Sequence, residues 1–387
     1  MNKKALVLIL FFSIIWLPGD VQAEEENDMT DRLLEEISFD GIEQYWERLA
    51  DDYGDFIPEM SRTTITDLIR DNDGFSIKAI FTGVLDFLFH ELIHHGKLLG
   101  SLLLLTIFSS ILQTMHAAFE KSTVGKITYF VVFLVLISIA LSSFFAVVTY
   151  AKETIDMMGS FMVGLLPLIL GLMATFGNVF SLSFFHPITI FLIHFISLFI
   201  TFFALPLLSF AALLIIVSSM SENYKVTSLA NLLRTVAVSG LGVLLTIFLG
   251  VMSVQGAASA IQDGVAMRTA KFITGNFIPV IGRTFTEAAD TILAASLLLK
   301  NSIGIIGLFI ILFICLFPAS KILIIAFVYK LAAAVLEPVG KGPIIVTLQT
   351  LSNYILYVLA CLLAVAFMFL LAIVLIVSAT NLTLLLR

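Results

Sequence analysis

The strongest candidate for chemistry in the sequence is a metal-binding pattern, His90-Glu91-Leu92-Ile93-His94. Residues four apart share a helix face, so His90 and His94 could bind one zinc ion while Glu91 activates a metal-bound water. A catalytic zinc site needs a third protein ligand, and no further motif supplies one at a recognised spacing. The polar face of a surface helix gives the same spacing, and Asp86 continues that face. We therefore predict a solvated face, with no catalytic residue, metal or cofactor, and keep a membrane zinc metalloprotease as the weaker alternative.

The residues give little support to nucleotide hydrolysis or to proton-coupled transport. No G-x-x-x-x-G-K-[ST] pattern occurs, so the chain lacks the loop that cradles nucleotide phosphates. No Asp or Glu falls within the apolar runs, which weakens a proton-coupled transporter. His194 lies inside such a run and is expected to hydrogen-bond between helices. A stand-alone small-solute permease stays open as an alternative, although its path would consist mostly of Ser, Thr and Asn.

The composition is that of a membrane protein. Hydrophobic residues make up 59% of the 387 residues and charged residues 13%, against about 25% charged in soluble domains. The net charge of −7 is unevenly spread, because residues 24–78 carry 17 acidic and 5 basic side chains. No basic face is concentrated anywhere, so nucleic acid is not an expected partner.

The first residues read as a secretory signal. Lys3 and Lys4 precede an apolar segment, and Val21-Gln22-Ala23 places small residues where a signal peptidase cleaves. Cleavage after Ala23 would leave the acidic segment outside the cytoplasm. Both cysteines, Cys315 and Cys361, lie in apolar runs and are expected to be packing residues.

The elements that follow are predicted to be helical throughout. An amphipathic helix over 76–97 would lie in the outer interface, with Asp86, His90, His94 and Lys97 along its polar side. The fold class is therefore an all-α polytopic integral membrane protein with about seven transmembrane helices, or eight if 303–337 divides at Pro318. The apolar spans are 98–116, 127–149, 161–180, 188–218, 236–254, 303–326 and 354–379.

These features divide the chain into six segments. The predicted segments are the signal peptide 1–23, the acidic extracytoplasmic segment 24–75, the amphipathic helix 76–97, the first five spans 98–254, a re-entrant or surface helical hairpin 255–302, and the C-terminal spans 303–387.

A stripe of small residues gives the clearest sign of close helix contact. Small side chains let helix backbones approach in a bilayer, where lipid provides no hydrophobic drive for association. The stripe could pack within one molecule or form a subunit interface, and its spacing does not decide between them. Its members are Gly242, Thr246, Gly250, Gly256, Ala260 and Gly264.

A longer pattern in the second half of the chain resembles a known family. It comprises Asp263-Gly264-Val265-Ala266, Lys271, Phe277-Ile278-Pro279-Val280-Ile281-Gly282, Ala289-Asp290-Thr291, Lys300-Asn301, Pro318 and Tyr329-Lys330-Leu331. With the signal, the acidic head and the spans, it is similar to the stage III sporulation protein AE family of endospore-forming bacteria.

The resemblance implies a function that composition alone does not. It implies a multi-pass subunit in the mother-cell membrane around the forespore, with the acidic head extracytoplasmic. The expected partners are membrane lipid, other stage III sporulation A-operon proteins and a forespore membrane protein across the intermembrane space. The implied complex is a secretion-like channel needed for forespore development and late forespore gene expression. The resemblance implies no catalytic residue.

Overall fold

The structure is a computed structural model that describes residues 39–70, 76–118, 123–175, 179–220, 226–277, 282–339 and 343–385. Every regular element within these ranges is helical. The predicted signal peptide 1–23 lies outside the described residues, as does the acidic segment before Phe39.

Eleven α-helices occur in the described ranges, and four of them exceed 40 residues. At 1.5 Å per residue, these four are roughly 65–80 Å long, about twice the thickness of a bilayer core. The helices are α1 Asp40–Tyr53, α2 Pro58–Arg62, α3 Ile65–Arg70, α4 Ile77–His94, α5 Gly96–Ala118, α6 Thr123–Thr175, α7 Val179–Phe199, α8 Leu205–Met220, α9 Thr227–Phe277, α10 Gly282–Leu336 and α11 Pro343–Leu385.

Within the described residues, five helical stretches are long and apolar enough to cross a membrane. The predicted count of seven or eight differs because 127–149 and 161–180 fall on one helix and 98–116 is not among the five. The five are Phe130–Ala174, His186–Ser219, Thr227–Gln255, Ser296–Leu336 and Pro343–Ser378.

The polar segment 150–160 was expected to form a loop between two spans, and instead it continues helix α6. This segment contains no proline, and its Lys, Glu, Asp and Thr side chains are compatible with a helix. Because the segment is helical, Asp156 lies within an apolar span candidate. Glu153 lies in the same candidate, so the expectation that no acidic residue falls inside a span is wrong for Glu153 and Asp156.

The 188–218 run is interrupted, although not at Pro206 itself. Helix α7 ends at Phe199, a π-helical turn covers Ile200–Ala204, and α8 starts at Leu205. Proline has no backbone N–H and its ring crowds the carbonyl four residues earlier, so Pro206 favours the departure from α-helical bonding in the turn before it. Such wide turns occur often at functional sites.

The segment 255–302 and the possible division at Pro318 both fall on long helices, and the re-entrant or surface hairpin itself stays a prediction. The backbone of α9 stays helical through Phe277, and α10 starts at Gly282, so both arms of the predicted hairpin extend the neighbouring helices. Helix α10 is continuous through Pro318. The predicted half-spans are thus halves of one long helix.

The core is built around α10 and α11. The Tyr329 hydroxyl donates to the Ala140 carbonyl oxygen at 3.2 Å, which fastens α10 to α6. The buried ammonium of Lys300 donates to the Val377 carbonyl oxygen at 2.9 Å, which fastens α10 to α11. Cys315 and Cys361 are both buried and unbridged, in agreement with their prediction as packing residues. Two residues of the family-like pattern, Lys300 and Tyr329, therefore hold helices together.

Candidate functional site

The first part of the acidic head that the structure describes packs directly on the membrane helices. Helix α1 buries Trp46 and Leu49, whereas Glu43, Glu47 and Asp51 are exposed. At its end, the Tyr53 ring stacks on Phe317 of α10, with ring centroids 3.9 Å apart and an angle of 6°. Phe87 of α4 contacts both rings edge-on, at 5.9 Å and 5.1 Å. This aromatic cluster joins the head, the amphipathic helix and the bundle.

A close backbone approach holds α4 against the head. The Cβ of any other residue at Gly83 would lie 2.4 Å from the Phe56 carbonyl oxygen and 2.7 Å from a side-chain carbon of Ile57. Because real Cβ atoms do not approach backbone that closely, only glycine fits at this point. The buried line of α4 is therefore Gly83, Phe87 and Glu91.

Glu91 is the charged member of that line. Its side chain is 7% exposed, and its Oε1 lies 3.3 Å from the Lys321 ammonium of α10. His95 Nε2 donates to the same oxygen at 3.1 Å. The Lys321 ammonium also lies 4.7 Å from the centre of the Tyr150 ring of α6. We call Glu91, His95, Lys321 and Tyr150 the junction, because they join three helices and the turn between α4 and α5.

The electrostatics of the junction favour the charged carboxylate. Burial alone would raise the pKa of Glu91, but the hydrogen bond from His95 and the positive charge of Lys321 outweigh it and hold the pKa below its ordinary value. Burial raises the pKa of Tyr53 to about 12, and the charges of Asp52 and Glu91 act in the same direction. At neutral pH, Glu91 is therefore ionised and Tyr53 is neutral.

This geometry does not suit the zinc-protease alternative. His90 and His94 are exposed, whereas Glu91 points into the protein and is paired with Lys321. A general base for a metal-bound water would have to be free and on the side of the ligands. Among the residues that the structure describes, no three His, Cys, Asp or Glu side chains are grouped to hold a metal ion.

The outer surface of α4 divides into a polar and an apolar line. The predicted polar side is exposed at all four positions, Asp86, His90, His94 and Lys97. A line of large apolar side chains beside it is also open to the surroundings. These side chains are Phe81, Leu85, Phe89 and Ile93, with exposures from 37% to 79%. Both lines together suit a helix lying in a membrane interface.

A cavity of about 240 Å³ lies beside the junction, lined by residues of the head and of the bundle. It carries both signs of charge. Its polar lining comprises Arg48, Asp52, Glu91, Tyr150, Glu153, Thr154 and Lys321.

A second polar feature lies on the other side of α6, between α6 and α7. It is an open groove of about 420 Å³, which we call the groove. Gly159 permits close contact there, since a Cβ at that position would lie 3.1 Å from the Ser197 hydroxyl. The polar lining consists of Asp156, Ser160, His194, Ser197 and Thr201, with no Lys or Arg.

His194 does not bridge two helices as expected. Its Nδ1 lies 2.9 Å from the carbonyl oxygen of Ile190, one turn earlier on the same helix. A carbonyl oxygen only accepts, so Nδ1 carries the hydrogen, and Nε2 of the exposed ring can act as an acceptor. The imidazole is thereby fixed toward the groove.

The small-residue stripe lies on the outside of α9 where its side chains are described. Gly242, Thr246 and Gly250 are exposed, and a Cβ at either glycine would have no atom within 4 Å. The Thr246 hydroxyl donates to the Gly242 carbonyl oxygen at 2.9 Å, so its polarity is satisfied within the helix. Gly256, Ala260 and Gly264 lie on the same helix, but their side chains are outside the described part. The stripe remains a prediction as an interface.

Sequence reasoning missed both polar features. The pairing of Lys321 with Glu91 joins residues 230 positions apart, which no local pattern indicates. For the groove, a usable signal was present. Asp156 and Ser160 lie on one helix face if 150–160 is read as helix rather than loop.

Comparison with known proteins identifies relatives over nearly the whole chain. Residues 60–380 match the protein family described as Stage III sporulation protein AE. The chain is 47% identical over 365 residues to a Bacillus subtilis (strain 168) protein named Stage III sporulation protein AE, covering 94% of this chain and 92% of the relative. No solved structure matches.

Proposed function

Since the chain belongs to the stage III sporulation protein AE family, we propose that it is a non-enzymatic, multi-pass subunit of the secretion-like channel complex that links mother cell and forespore. In this proposal, it lies in the mother-cell membrane with its head in the intermembrane space. It assembles there with the other stage III sporulation A-operon proteins and faces a forespore membrane partner. Forespore development and late forespore gene expression depend on that assembly.

The observation that carries the proposal is the outer face of α9. Of the apolar window in its span, 22% is buried, compared with 44–50% in the other four spans. This least buried helix also carries Gly242, Thr246 and Gly250 on its open side. Small residues on a membrane helix favour close contact with another helix, and within the described residues no helix of this chain covers them. A subunit interface therefore suits the stripe better than packing within one molecule.

Co-purification from sporulating membranes tests the proposal. We expect wild-type protein to bring down the other stage III sporulation proteins, and Gly242→Leu to lose them at an equal membrane level. The added side chain would force two backbones apart, and overpacking typically costs about 1–3 kcal/mol. The matched control is Val243→Leu, because Val243 is 58% exposed beside the stripe and already carries an apolar side chain.

The possible outcomes test two hypotheses separately, the stripe as a subunit contact and the chain as a channel subunit. Assembly of Gly242→Leu at the wild-type level would exclude the stripe as a contact. Wild-type protein that brings down no other sporulation protein would exclude the channel-subunit proposal itself.

A stand-alone permease is the second candidate, and the groove is the observation that favours it. Purified protein in liposomes tests it directly. Solute flux without any partner would support the permease, whereas flux that requires the other subunits would support the channel complex.

A further inference from the structure

We propose that the groove is a water-facing, cation-preferring wall of the conduit, in which Asp156 supplies the charge and the hydroxyls of Ser160, Ser197 and Thr201 contact water or a hydrated cationic solute. This inference rests on the proposed function, because a conduit wall requires a conduit. Beyond the proposed function, it names the part of the chain that faces the conduit and the sign of the charge which that part prefers.

The depth of the groove is the first argument. The apolar run that contains α7, the π-helical turn and α8 is His186–Ser219, 34 residues long. A membrane crossing needs about 20 residues. Any 20-residue crossing within this run includes positions 200–205, and therefore the π-helical turn and Thr201 of the groove. The groove thus reaches the hydrocarbon region or its edge.

The charge of the groove is the second argument. Asp156 is exposed on the outer surface of the molecule, and the described lining contains no Lys or Arg to neutralise it. Ionisable side chains at membrane depth almost always face the interior of a bundle or a water-filled cavity rather than lipid.

The third argument comes from two hydroxyl groups. Serine and threonine in membrane helices commonly donate to the carbonyl one turn earlier, as Thr154 does to Tyr150 at 2.7 Å. Ser197 and Thr201 make no hydrogen bond within the described structure, although Thr201 is only 9% exposed. Buried polar groups without a protein partner are normally satisfied by water or a ligand. Lipid or an apolar partner surface would leave them unsatisfied.

A π-helical turn lies at the groove. It starts at Ile200, directly before Thr201, and the Leu205 N–H bonds to the Ile200 carbonyl oxygen five residues earlier. Thr201 within this turn and Ser197 one turn before it line the same groove as Asp156. Wide turns of this kind are frequent at functional sites.

Cysteine accessibility in assembled complexes tests the inference. The chain contains only Cys315 and Cys361, both buried, so a variant with both replaced by Ala gives a background without thiols. In this background, Ser160→Cys is treated in sporulating membranes with two small membrane-impermeant thiosulfonates, one carrying a quaternary ammonium and one a sulfonate. A thiol-reactive mass tag is added afterwards, and the fraction of this chain that fails to take up the tag measures how far the thiosulfonate has reacted.

We expect Ser160→Cys to react, and to react faster with the cationic reagent by roughly tenfold, the lower range of what a charged cleft does to local ion concentration. Adding Asp156→Asn should bring the two rates together. The matched control is Phe203→Cys, because position 203 lies two residues beyond Thr201 on the same apolar run, is 41% exposed and does not line the groove. A thiol in lipid should react with neither reagent.

Three results would overturn the inference. The first is a Ser160→Cys thiol that stays unreactive in assembled complexes. The second is a thiol that reacts in the free subunit and is protected on assembly, which would make the groove a partner contact. The third is equal rates for both reagents, with no effect of Asp156→Asn. Co-purification from the same samples reports on the proposed function separately, so assembly with an unreactive thiol would contradict the conduit wall alone.

Discussion

The junction and the groove lie on opposite sides of the same polar segment of α6. Each contains a carboxylate, but the two carboxylates differ in burial and in their charged partners. Glu91 at the junction is buried, accepts a hydrogen bond from His95 and faces the ammonium of Lys321. Asp156 in the groove is exposed, and the described groove lining holds no Lys or Arg beside it. A charge that is buried and paired holds elements together. A charge left open beside unsatisfied hydroxyls is arranged to meet something from outside the chain.

Breaking the aromatic contact beside the junction should have the largest effect on stability. Tyr53→Ala removes the ring that stacks on Phe317 and contacts Phe87. We expect a loss of about 3 kcal/mol, the lower end for a large aromatic, because Tyr53 is only half-buried. Thermal unfolding in detergent measures this loss. Tyr53→Phe keeps the ring and should unfold close to wild type, and an equally stable Tyr53→Ala would mean that the head does not depend on this contact.

Removing the charge of Glu91 should have the next largest effect. Glu91→Gln keeps the shape of the side chain but leaves Lys321 without its anionic partner, at a cost of about 1–3 kcal/mol. The expected result is lower thermal stability and a smaller amount in the membrane. Glu153→Gln is the control, since Glu153 lines the same cavity but is exposed.

The pH dependence sharpens the same prediction. A carboxylate whose pKa is lowered by folding adds stability above its unfolded pKa, and that stability is lost as the pH falls through the folded value. Wild-type protein should therefore lose stability below a pH of about 4, with a steeper slope than Glu91→Gln. Equal slopes would show that the ion pair contributes nothing. A variant of normal stability that lost its function would instead revive the zinc-protease alternative.

The fold class and the site differ in how far the sequence could predict them. Apolar runs and helical periodicity predict membrane helices because burial in lipid depends mainly on composition. The two spans 127–149 and 161–180 were wrongly predicted as separate helices. A short polar stretch can continue a membrane helix when its side chains border polar sites in the protein. Here Glu153 borders a polar cavity and Asp156 borders the groove, so the helix continues.

The pairing of Glu91 with Lys321 lay beyond sequence reasoning for a different reason. The pattern around Glu91 satisfied a zinc motif, and only the docking of α4 on α10 decides which way the carboxylate points. The exposure of Asp86, His90, His94 and Lys97 was predictable, because it follows from spacing on one helix. Contacts within a helix were therefore predictable, whereas contacts between helices needed the packing.

The smallest expected effect comes from removing a buried hydroxyl, and we compare one away from the groove with one on a residue that lines it. The Thr189 hydroxyl is 1% exposed, does not line the groove and has no hydrogen-bond partner in the described structure. Valine has the same shape without the polar atom, so Thr189→Val should raise the free energy of unfolding by about 1 kcal/mol, the lower end of the penalty for an unsatisfied buried group. Thr201→Val removes an equally buried and unpartnered hydroxyl, but Thr201 lines the groove. The conduit-wall proposal expects water to reach this hydroxyl, so stability should change little. Thermal unfolding of both variants under one condition measures the difference. Equal stabilisation by the two valines would mean that Thr201 is as dry as Thr189, and the contrast between a closed and an open polar site on these helices would be lost.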